Sequence, residues 1–379
     1  MKNVYLINLS FGLAGIERRF ANLWRALRRR GNVFPILVIP SSLAALLDEA
    51  RLLPDDPTGL IVTPEPSTLA KLRVPSSLDV PLAIVRSRIA AIGYRSVWSR
   101  IRRDRNAVVH VGMNTSAIKP PDVPAVYECV DANLEQFDTR HFRRASTRRC
   151  IVHCQTDRIR MALDCVFASR PTRWRTITSP MYFAQYDEKR ANGNRDPRLI
   201  AFVGRFAPEK NPMMFIEAVA RLRGQRTDCR AIMLGEGPLR QACMARIREL
   251  GLESVIAIDF VPRPTEILHR AAVYVSLQPG DNYGSQSLLE AMGAGCAVVA
   301  SDVGETKKIV TDRTGVRTLL SAESVAAALQ PLISDPNRSH QLGEEAARIA
   351  RTQYSADAYA AFLESAYELA VQHHGVRTE

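Results

Sequence analysis

Two cations five residues apart are the first candidates for chemistry in this sequence. Arg205 and Lys210 lie in the segment from Val203 to Pro212, which glycine and proline shape into a loop after a predicted strand. An arginine fork can hold a phosphate through two parallel hydrogen bonds, and a lysine adds a point charge. The pair could therefore hold a diphosphate. A solvated surface loop with ordinary cations would show the same spacing, so both interpretations stay open at this point.

A carboxylate follows in a second polar segment, Pro279 to Gly295. Glu290 lies there within a predicted helix of otherwise small and apolar residues. A carboxylate on a buried face needs hydrogen-bond donors, and the two vicinal hydroxyls of a ribose would supply them. The alternative, a capping or structural hydrogen bond, is weaker because Glu290 lies past the first helical turn.

Two glycine-containing loops complete the candidates. Phe11 to Glu17 follows the first predicted strand, where small residues allow close backbone approach and the amides of a helix N-terminus suit an anion. The segment Gly235 to Leu239 combines two glycines with a proline that suits a first helical position. Neither is a Walker loop or a complete Gly-x-Gly-x-x-Gly sequence. Each could equally be a simple turn between a strand and a helix.

These segments need elements that bring them to one edge, and the sequence predicts an α/β fold. Short apolar runs alternate with amphipathic stretches of helical length, as in parallel sheets with crossover helices. Loops at the carboxyl ends of such strands bind ligands. We expect two doubly wound, Rossmann-like domains that face each other across a cleft. The predicted strands are Val4–Leu9, Val33–Ile39, Val108–Val111, Ala125–Glu128, Ile151–His153, Arg175–Ile177, Leu199–Val203, Ala231–Leu234, Val255–Ile258, Val273–Leu277 and Ala297–Ala300.

A polar segment rich in helix-breaking residues, 187–197, predicts a linker. We expect an N-terminal domain at residues 1–183, a C-terminal domain at 184–354, and a helix within 355–379 that packs back on the N-terminal domain. The predicted helices of the second half are Pro212–Arg223, Pro238–Leu250, Ser287–Ala294 and Ala358–Gln372.

Taken in order, these segments resemble the retaining, nucleotide-sugar-dependent glycosyltransferases of GT-B fold known as family 4. The resemblance is densest from Leu199 to Gly315 and thins toward both ends. Each short motif is weakly specific alone, and together they are strongly specific. The motifs that stand in the family's order and spacing are Gly204-Arg205, Glu209-Lys210-Asn211-Pro212, Gly235-Glu236-Gly237-Pro238-Leu239, Glu290-Ala291-Met292 with Gly295, and Ser301-Asp302-Val303-Gly304-Glu305.

The resemblance implies a role for each matching residue. Arg205 and Lys210 would hold the diphosphate of the donor, and Glu290 would accept hydrogen bonds from its ribose. The Gly15 amide would contact a phosphate, and His110 matches a position that contacts the transferred sugar. From the residues alone, His110 is more often a satisfied histidine at a strand end. The other donor-site residues predicted in this way are Gly204, Gly235, Asp281, Asn282, Tyr283, Gly284 and Ser285.

The resemblance also implies a mechanism without a metal, and the sequence has no Asp-x-Asp motif. No enzyme nucleophile is implied: the leaving diphosphate accepts the acceptor's proton on the same face, while Arg205 and Lys210 stabilise its charge. One position departs from the family, which usually carries an acid where this chain has Asn282. Either the loop is one residue longer and Asp281 serves, or the backbone amides around Tyr283–Ser285 meet the sugar hydroxyls.

Charge is unevenly distributed along the chain. Its 379 residues carry a net charge of +12, and those up to Arg195 hold 31 basic and 17 acidic side chains. The stretch Pro81 to Arg105 sets apolar residues among arginines, which favours a helix resting on an anionic membrane over a merely solvated one. Since the resemblance puts the acceptor in the N-terminal domain, we predict a lipid-linked or phosphate-bearing glycan there. Nucleic acid is disfavoured, because the arginines lack interleaved aromatic residues.

The seven cysteines are scattered and form no Cys-x-x-Cys pair, which favours reduced thiols in a cytosolic protein. Cys150, His153 and Cys154 fit core residues better than metal ligands. The sequence has neither a signal-peptide core nor a run of about 18 apolar residues. We therefore predict a cytoplasmic enzyme, peripheral on the inner membrane face, that makes cell-surface polysaccharide or glycolipid without a cofactor besides its nucleotide-sugar co-substrate. The alternatives are a non-catalytic nucleotide-sugar-binding partner subunit and a nucleotide-sugar epimerase.

Overall fold

The computed structural model describes residues 1–8, 15–53, 56–63, 94–112, 122–129, 149–167, 174–179, 195–261 and 264–375. The chain divides into two compact units. Unit 1 comprises residues 1–181 and 356–379, and unit 2 comprises residues 182–355. Each unit is built on one parallel sheet with helices as crossovers, so the predicted α/β class is confirmed. Most of the predicted linker at 187–197 lies outside the described residues.

The sheet of unit 1 has the strand order β3-β2-β1-β4-β5-β6-β7, so the order reverses between β1 and β4. Its strands are apolar over nearly their whole length because both faces of the sheet are covered. The elements are β1 (Lys2–Ile7), α1 (Gly15–Arg30), β2 (Val33–Pro40), α2 (Ser41–Glu49), β3 (Leu60–Thr63), α3 (Arg95–Arg103), β4 (Ala107–Val111), β5 (Ala125–Cys129), β6 (Cys150–Cys154), α4 (Asp157–Phe167) and β7 (Trp174–Thr178).

The sheet of unit 2 has the order β10-β9-β8-β11-β12-β13 and reverses between β8 and β11. Two apolar clusters cover its faces. The elements are β8 (Asp196–Val203), α5 (Pro212–Gly224), β9 (Arg230–Leu234), α6 (Arg240–Glu249), β10 (Ile256–Asp259), α7 (Thr265–Leu268), β11 (Ala271–Ser276), α8 (Gln286–Gly293), β12 (Ala297–Ser301), β13 (Gly315–Thr318), α9 (Ala322–Ser334) and α10 (Pro336–Gln353).

Helix α11 (Ala356–Gly375) follows unit 2 in the chain and packs within unit 1. It lies against α1 and strands β4 to β6. Its buried face includes Tyr359, Leu363 and Tyr367. On α1 the apolar side chains of Phe20 and Trp24 are buried. Both helices therefore direct large side chains into unit 1.

Helix α3 is the described part of the basic stretch, since residues 64–93 lie outside the described residues. Val97 and Ile101 are buried, and Trp98 packs against the same apolar cluster. The exposed cations on this helix are Arg100, Arg102 and Arg103. Its apolar side is thus used inside unit 1, and its exposed cations lie on the other side, where Arg100 also interacts with Tyr5 and Asp104. Among the described residues, no helix combines the length and apolarity needed to span a bilayer.

Candidate functional site

The loops that carry the predicted donor-binding residues follow β8, β9 and β11 of unit 2. Strands β8 and β11 are neighbours where the strand order reverses, and open α/β sheets bind ligands at that position. Residues 204–211 follow β8, residues 235–239 follow β9, and residues 277–285 follow β11. Glu290 lies on α8, directly after the third loop. The unit-2 candidates are therefore gathered at the carboxyl edge of one sheet.

The loop after β9 packs backbone to backbone against the loop after β8. A Cβ on Gly235, whose φ is +150°, would lie 2.0 Å from the Gly204 carbonyl oxygen. A Cβ on Gly237 would lie 2.5 Å from the carbonyl oxygen of Phe206. The Phe206 amide donates to the carbonyl of Glu236 at 2.9 Å. Only glycine fits here, so the structure explains these glycines through loop packing.

Lys210 and Asn211 tie the loop after β8 to the loop after β11. The Lys210 ammonium donates to Oε1 of Gln278 at 2.7 Å. Asn211, in the left-handed region at φ 51°, donates from Nδ2 to the Leu277 carbonyl at 2.8 Å. Burial lowers the pKa of Lys210, and the charge of Glu209 opposes this effect. The ammonium is thus fixed at the point of strand reversal by a neutral partner.

Arg205 and Glu290 differ in their exposure to solvent and in their hydrogen bonds. Arg205 is exposed, and within the described residues its side chain forms no hydrogen bond or ion pair. Glu290 is half-buried on the first turns of α8 and accepts a hydrogen bond from Nε2 of Gln286 at 2.8 Å. An exposed cation suits a phosphate, and a half-buried carboxylate at this edge of the sheet is the kind of group that accepts hydrogen bonds from hydroxyls.

Asn282, at the position where the family carries an acid, is fully buried and hydrogen-bonded. Its Oδ1 accepts from Oγ of Ser276 at 2.7 Å, and its Nδ2 donates to Oγ of Ser301 at 2.8 Å. Thr306 Oγ1 lies 3.2 Å from the same nitrogen. The side chain thus joins the ends of β11 and β12 to the turn at Thr306, and its amide is used within the protein.

Asp281 and the neighbouring amides are also engaged. Asp281 accepts from the Tyr283 amide at 2.9 Å and from the Glu305 amide at 3.0 Å. The Ser285 amide donates to the Asn282 carbonyl at 3.1 Å. Of the three backbone amides from Tyr283 to Ser285, only that of Gly284 donates no hydrogen bond among the described contacts. The φ of Gly284 is +69°, which lies in the left-handed region. Whether Asp281 or these amides contact a sugar stays a prediction.

The two unit-1 candidates lie in different settings. Gly15 begins α1, and the rest of its loop, residues 9–14, lies outside the described residues. His110 on β4 is fully buried. Its Nδ1 lies 2.7 Å from the Tyr367 hydroxyl, and its Nε2 lies 3.0 Å from Oε1 of Glu128. This is the satisfied histidine that the residues alone favour, and the sugar contact implied by resemblance stays a prediction.

Glu128 and Arg19 form a buried ion pair beside His110 that sequence reasoning missed. Arg19 donates from Nη1 and Nη2 to the two carboxylate oxygens at 2.7 and 2.5 Å, and the Tyr359 hydroxyl donates to Oε1 at 3.0 Å. Burial alone would raise the pKa of Glu128, but attraction and hydrogen bonds from Arg19 and His110 hold it well below the ordinary value. The available signal was Glu128, a carboxylate within the otherwise apolar strand β5, whereas Arg19 lies beside Glu17 and Arg18 and does not stand out.

The cysteine and histidine group near β6 is part of the core, as predicted. Cys150, His153 and Cys154 are buried on this strand, and all seven cysteines are free. His153 Nε2 lies 3.1 Å from the carbonyl oxygen of Ser179. Among the described residues no group of histidine, cysteine and carboxylate side chains is arranged to hold a metal ion.

Comparison with known proteins finds sequence similarity mainly in unit 2. Residues 185–349 match the family described as "Glycosyl transferases group 1". The D-inositol 3-phosphate glycosyltransferase of Corynebacterium glutamicum is 33% identical over 194 residues, which are 48% of this chain and 46% of that protein. The lipopolysaccharide core biosynthesis mannosyltransferase LpcC of Rhizobium leguminosarum is 28% identical over 185 residues, 47% of this chain and 52% of that protein. The match thus spans about half the length of these relatives.

The similarity of fold extends over the whole chain. The pneumococcal O-GlcNAc transferase GtfA, solved in complex with UDP and GlcNAc, superposes with a TM-score of 0.73 at 14% identity, covering 98% of this chain and 99% of that one. Residues 185–349 are therefore similar to glycosyl transferases group 1, and the chain has the GT-B fold.

Proposed function

We propose that this chain is a retaining, metal-independent glycosyltransferase that moves a sugar from a nucleotide diphosphate sugar to a membrane-associated glycan or lipid-linked acceptor. One observation carries the proposal: the Lys210 ammonium lies at the strand reversal of unit 2, half-buried, with only a neutral side chain as its described partner. A cation whose hydrogen-bond partner is neutral suits an anionic ligand such as a diphosphate.

The roles of the residues follow from charge. Arg205 and Lys210 would bind the diphosphate and stabilise the charge that develops as it leaves, while Glu290 would accept the ribose hydroxyls. The departing diphosphate would take the proton of the acceptor hydroxyl on the same face as the new bond. Removing one such cation typically costs about 3 kcal/mol of transition-state stabilisation, or roughly a hundredfold in rate.

The donor is tested by thermal shift with UDP, GDP, ADP and their sugar conjugates, with magnesium and with EDTA. A ligand at 100 times its dissociation constant adds about 2.7 kcal/mol. We expect one nucleotide to stand out equally in both buffers, and Arg205→Ala and Lys210→Ala to reduce that shift. Arg248→Ala, at an exposed position on α6, is the matched control. A shift that requires magnesium would refute metal independence.

The acceptor side of the proposal rests on the cations of α3. Arg100, Arg102 and Arg103 are exposed while the apolar side of the helix is buried, so binding to an anionic membrane would be electrostatic. We expect replacement of all three by glutamine to reduce binding to phosphatidylglycerol vesicles severalfold. The control is a triple replacement in unit 2, at Arg223, Arg226 and Arg248. Equal binding of both triple variants would exclude α3 as the contact.

A non-catalytic, nucleotide-sugar-binding partner subunit is the second candidate, and the full engagement of Asn282 within the protein favours it. The two candidates differ in turnover. An enzyme releases nucleotide from the donor identified above when a suitable acceptor, or water over long incubation, is supplied. A partner subunit binds the same donor and releases none.

A further inference from the structure

We propose that Gln278 is a positioning residue that holds the Lys210 ammonium at the strand reversal of unit 2 without neutralising it. The role rests on the proposed function, because an unneutralised ammonium matters most when a diphosphate binds beside it. Gln278 follows β11 by two residues and has no part in the motifs that carry the family resemblance.

The orientation of the Gln278 amide is set by its neighbours. Its Oε1 accepts from Lys210 at 2.7 Å, and its Nε2 faces Oδ1 of Asn282 at 3.4 Å. Its backbone carbonyl accepts from Oγ of Ser301 at 2.6 Å. Since Asn282 is itself fixed by buried hydroxyls, the amide oxygen of Gln278 is directed to Lys210 by a chain of hydrogen bonds.

Gln278 differs from the usual partner of a lysine side chain because it carries no charge. Lysine ammonium groups usually pair with carboxylates, yet Lys210 forms no ion pair with the described residues. Glu209, the preceding residue, is exposed and acts on Lys210 through its charge without an ion pair. The carboxylate of Asp281 is bound to the amides of Tyr283 and Glu305. A glutamine and a glutamate have nearly the same shape, so a glutamate at 278 could accept the same hydrogen bond and cancel the charge.

The arrangement prepares the cation before the ligand arrives. A free lysine side chain loses rotamer entropy when it is fixed. Because Gln278 already fixes Lys210, much of that loss precedes binding. Preorganised charge in a partly dry site is more effective than charge that must move into place.

The test compares Gln278→Glu with Gln278→Met in the full chain. Binding of inorganic pyrophosphate, UDP and GDP is measured by calorimetry at two ionic strengths. We expect Gln278→Glu to raise the dissociation constant at least tenfold and to weaken its salt dependence, because one effective cation is lost. Gln278→Met, which removes the hydrogen bond but adds no charge, should raise it about two- to fivefold.

A merely structural role for Gln278 predicts the reverse order, since glutamate keeps the acceptor and methionine loses it. Gln278→Glu binding within twofold of wild type would therefore overturn the role while leaving the proposed function intact. Absence of binding by the wild-type chain would overturn the proposed function and this role with it. Should Gln278→Glu fail to fold, unchanged binding by Gln278→Met would overturn the role on its own.

Discussion

Glu128→Gln should destabilise unit 1 strongly. The Glu128 carboxylate and the Arg19 guanidinium are both fully buried, and hydrogen bonds of 2.7 and 2.5 Å join them. In the variant an amide nitrogen would face a guanidinium nitrogen, so a buried cation would lose the carboxylate that both of its Nη atoms bind. Breaking one side of such a pair costs about 3–5 kcal/mol.

Tryptophan fluorescence reports this loss selectively. The three tryptophans, Trp24, Trp98 and Trp174, all lie in unit 1. Trp24 is fully buried and donates to the Pro35 carbonyl at 3.0 Å, so its emission should change on unfolding. Urea titration at pH 7 then gives the free energy of unfolding of unit 1 apart from unit 2.

A matched surface pair supplies the control. Asp357 on α11 accepts from Arg29 on α1 at 3.0 Å, with both side chains more than half exposed. Asp357→Asn should cost less than about 1 kcal/mol, because exposed pairs contribute little. The double replacement Arg19→Met with Glu128→Leu should recover much of the stability lost in Glu128→Gln, since it removes both charges together.

Acidification gives an independent check of the same pair. The folded pKa of Glu128 is held below the unfolded value of about 4.3, so its contribution is complete above that pH and is lost as the pH falls below it. The difference between wild type and Glu128→Gln should therefore be constant from pH 7 to about 5 and shrink below about 4.3. A difference under 1 kcal/mol at pH 7 would refute the argument.

Three further outcomes are expected. Gly235→Ala should weaken nucleotide binding at least tenfold, whereas Gly224→Ala, whose added Cβ meets nothing within 4 Å beyond its own helix and chain neighbours, should bind normally in calorimetry. Asn282→Ala should lower the calorimetric stability of unit 2 by about 1–3 kcal/mol, because buried hydroxyls lose their partner; a smaller loss would contradict the network. Burial lowers the pKa of His153 to about 3. The free energy of unfolding of unit 1 should therefore decline as the pH falls below about 6.5. In urea titrations His153→Phe should make this decline with pH less steep; an equally steep decline in both proteins would contradict the prediction.

The fold was largely predictable because parallel strands buried on both faces are continuous apolar runs. Each predicted strand has a counterpart among the described strands, with ends shifted by at most three residues where they are described. The strands that escaped prediction, β3 and β13, have four residues each and lie at sheet edges. Gly315–Thr318 also contains a single apolar side chain, Val316, which is too weak a signal to distinguish a strand from a loop.

For the candidate site, the order of the motifs in the sequence predicted the loops but not the contacts between them. Glycines and cations in sequence order located the loops, but the partner of Lys210 depends on how two loops separated by 68 residues meet. The role of Asn282 likewise depends on tertiary contacts. In the sequence it stands where the family carries an acid, and in the structure its side chain links the ends of β11 and β12 to the turn at Thr306. The Arg19 and Glu128 pair joins residues 109 apart and involves Tyr359, far along the chain. Such contacts follow from tertiary packing alone.

The placement of α11 has a consequence for synthesis. Residues 182–355 of unit 2 are made between the two parts of unit 1, and at 5–20 residues per second this takes roughly 10–35 s. During that interval the apolar side of α1 and the Glu128 carboxylate lack Tyr359 and the rest of the helix that covers them. Unit 1, although it begins first, is therefore completed after unit 2 has been synthesised.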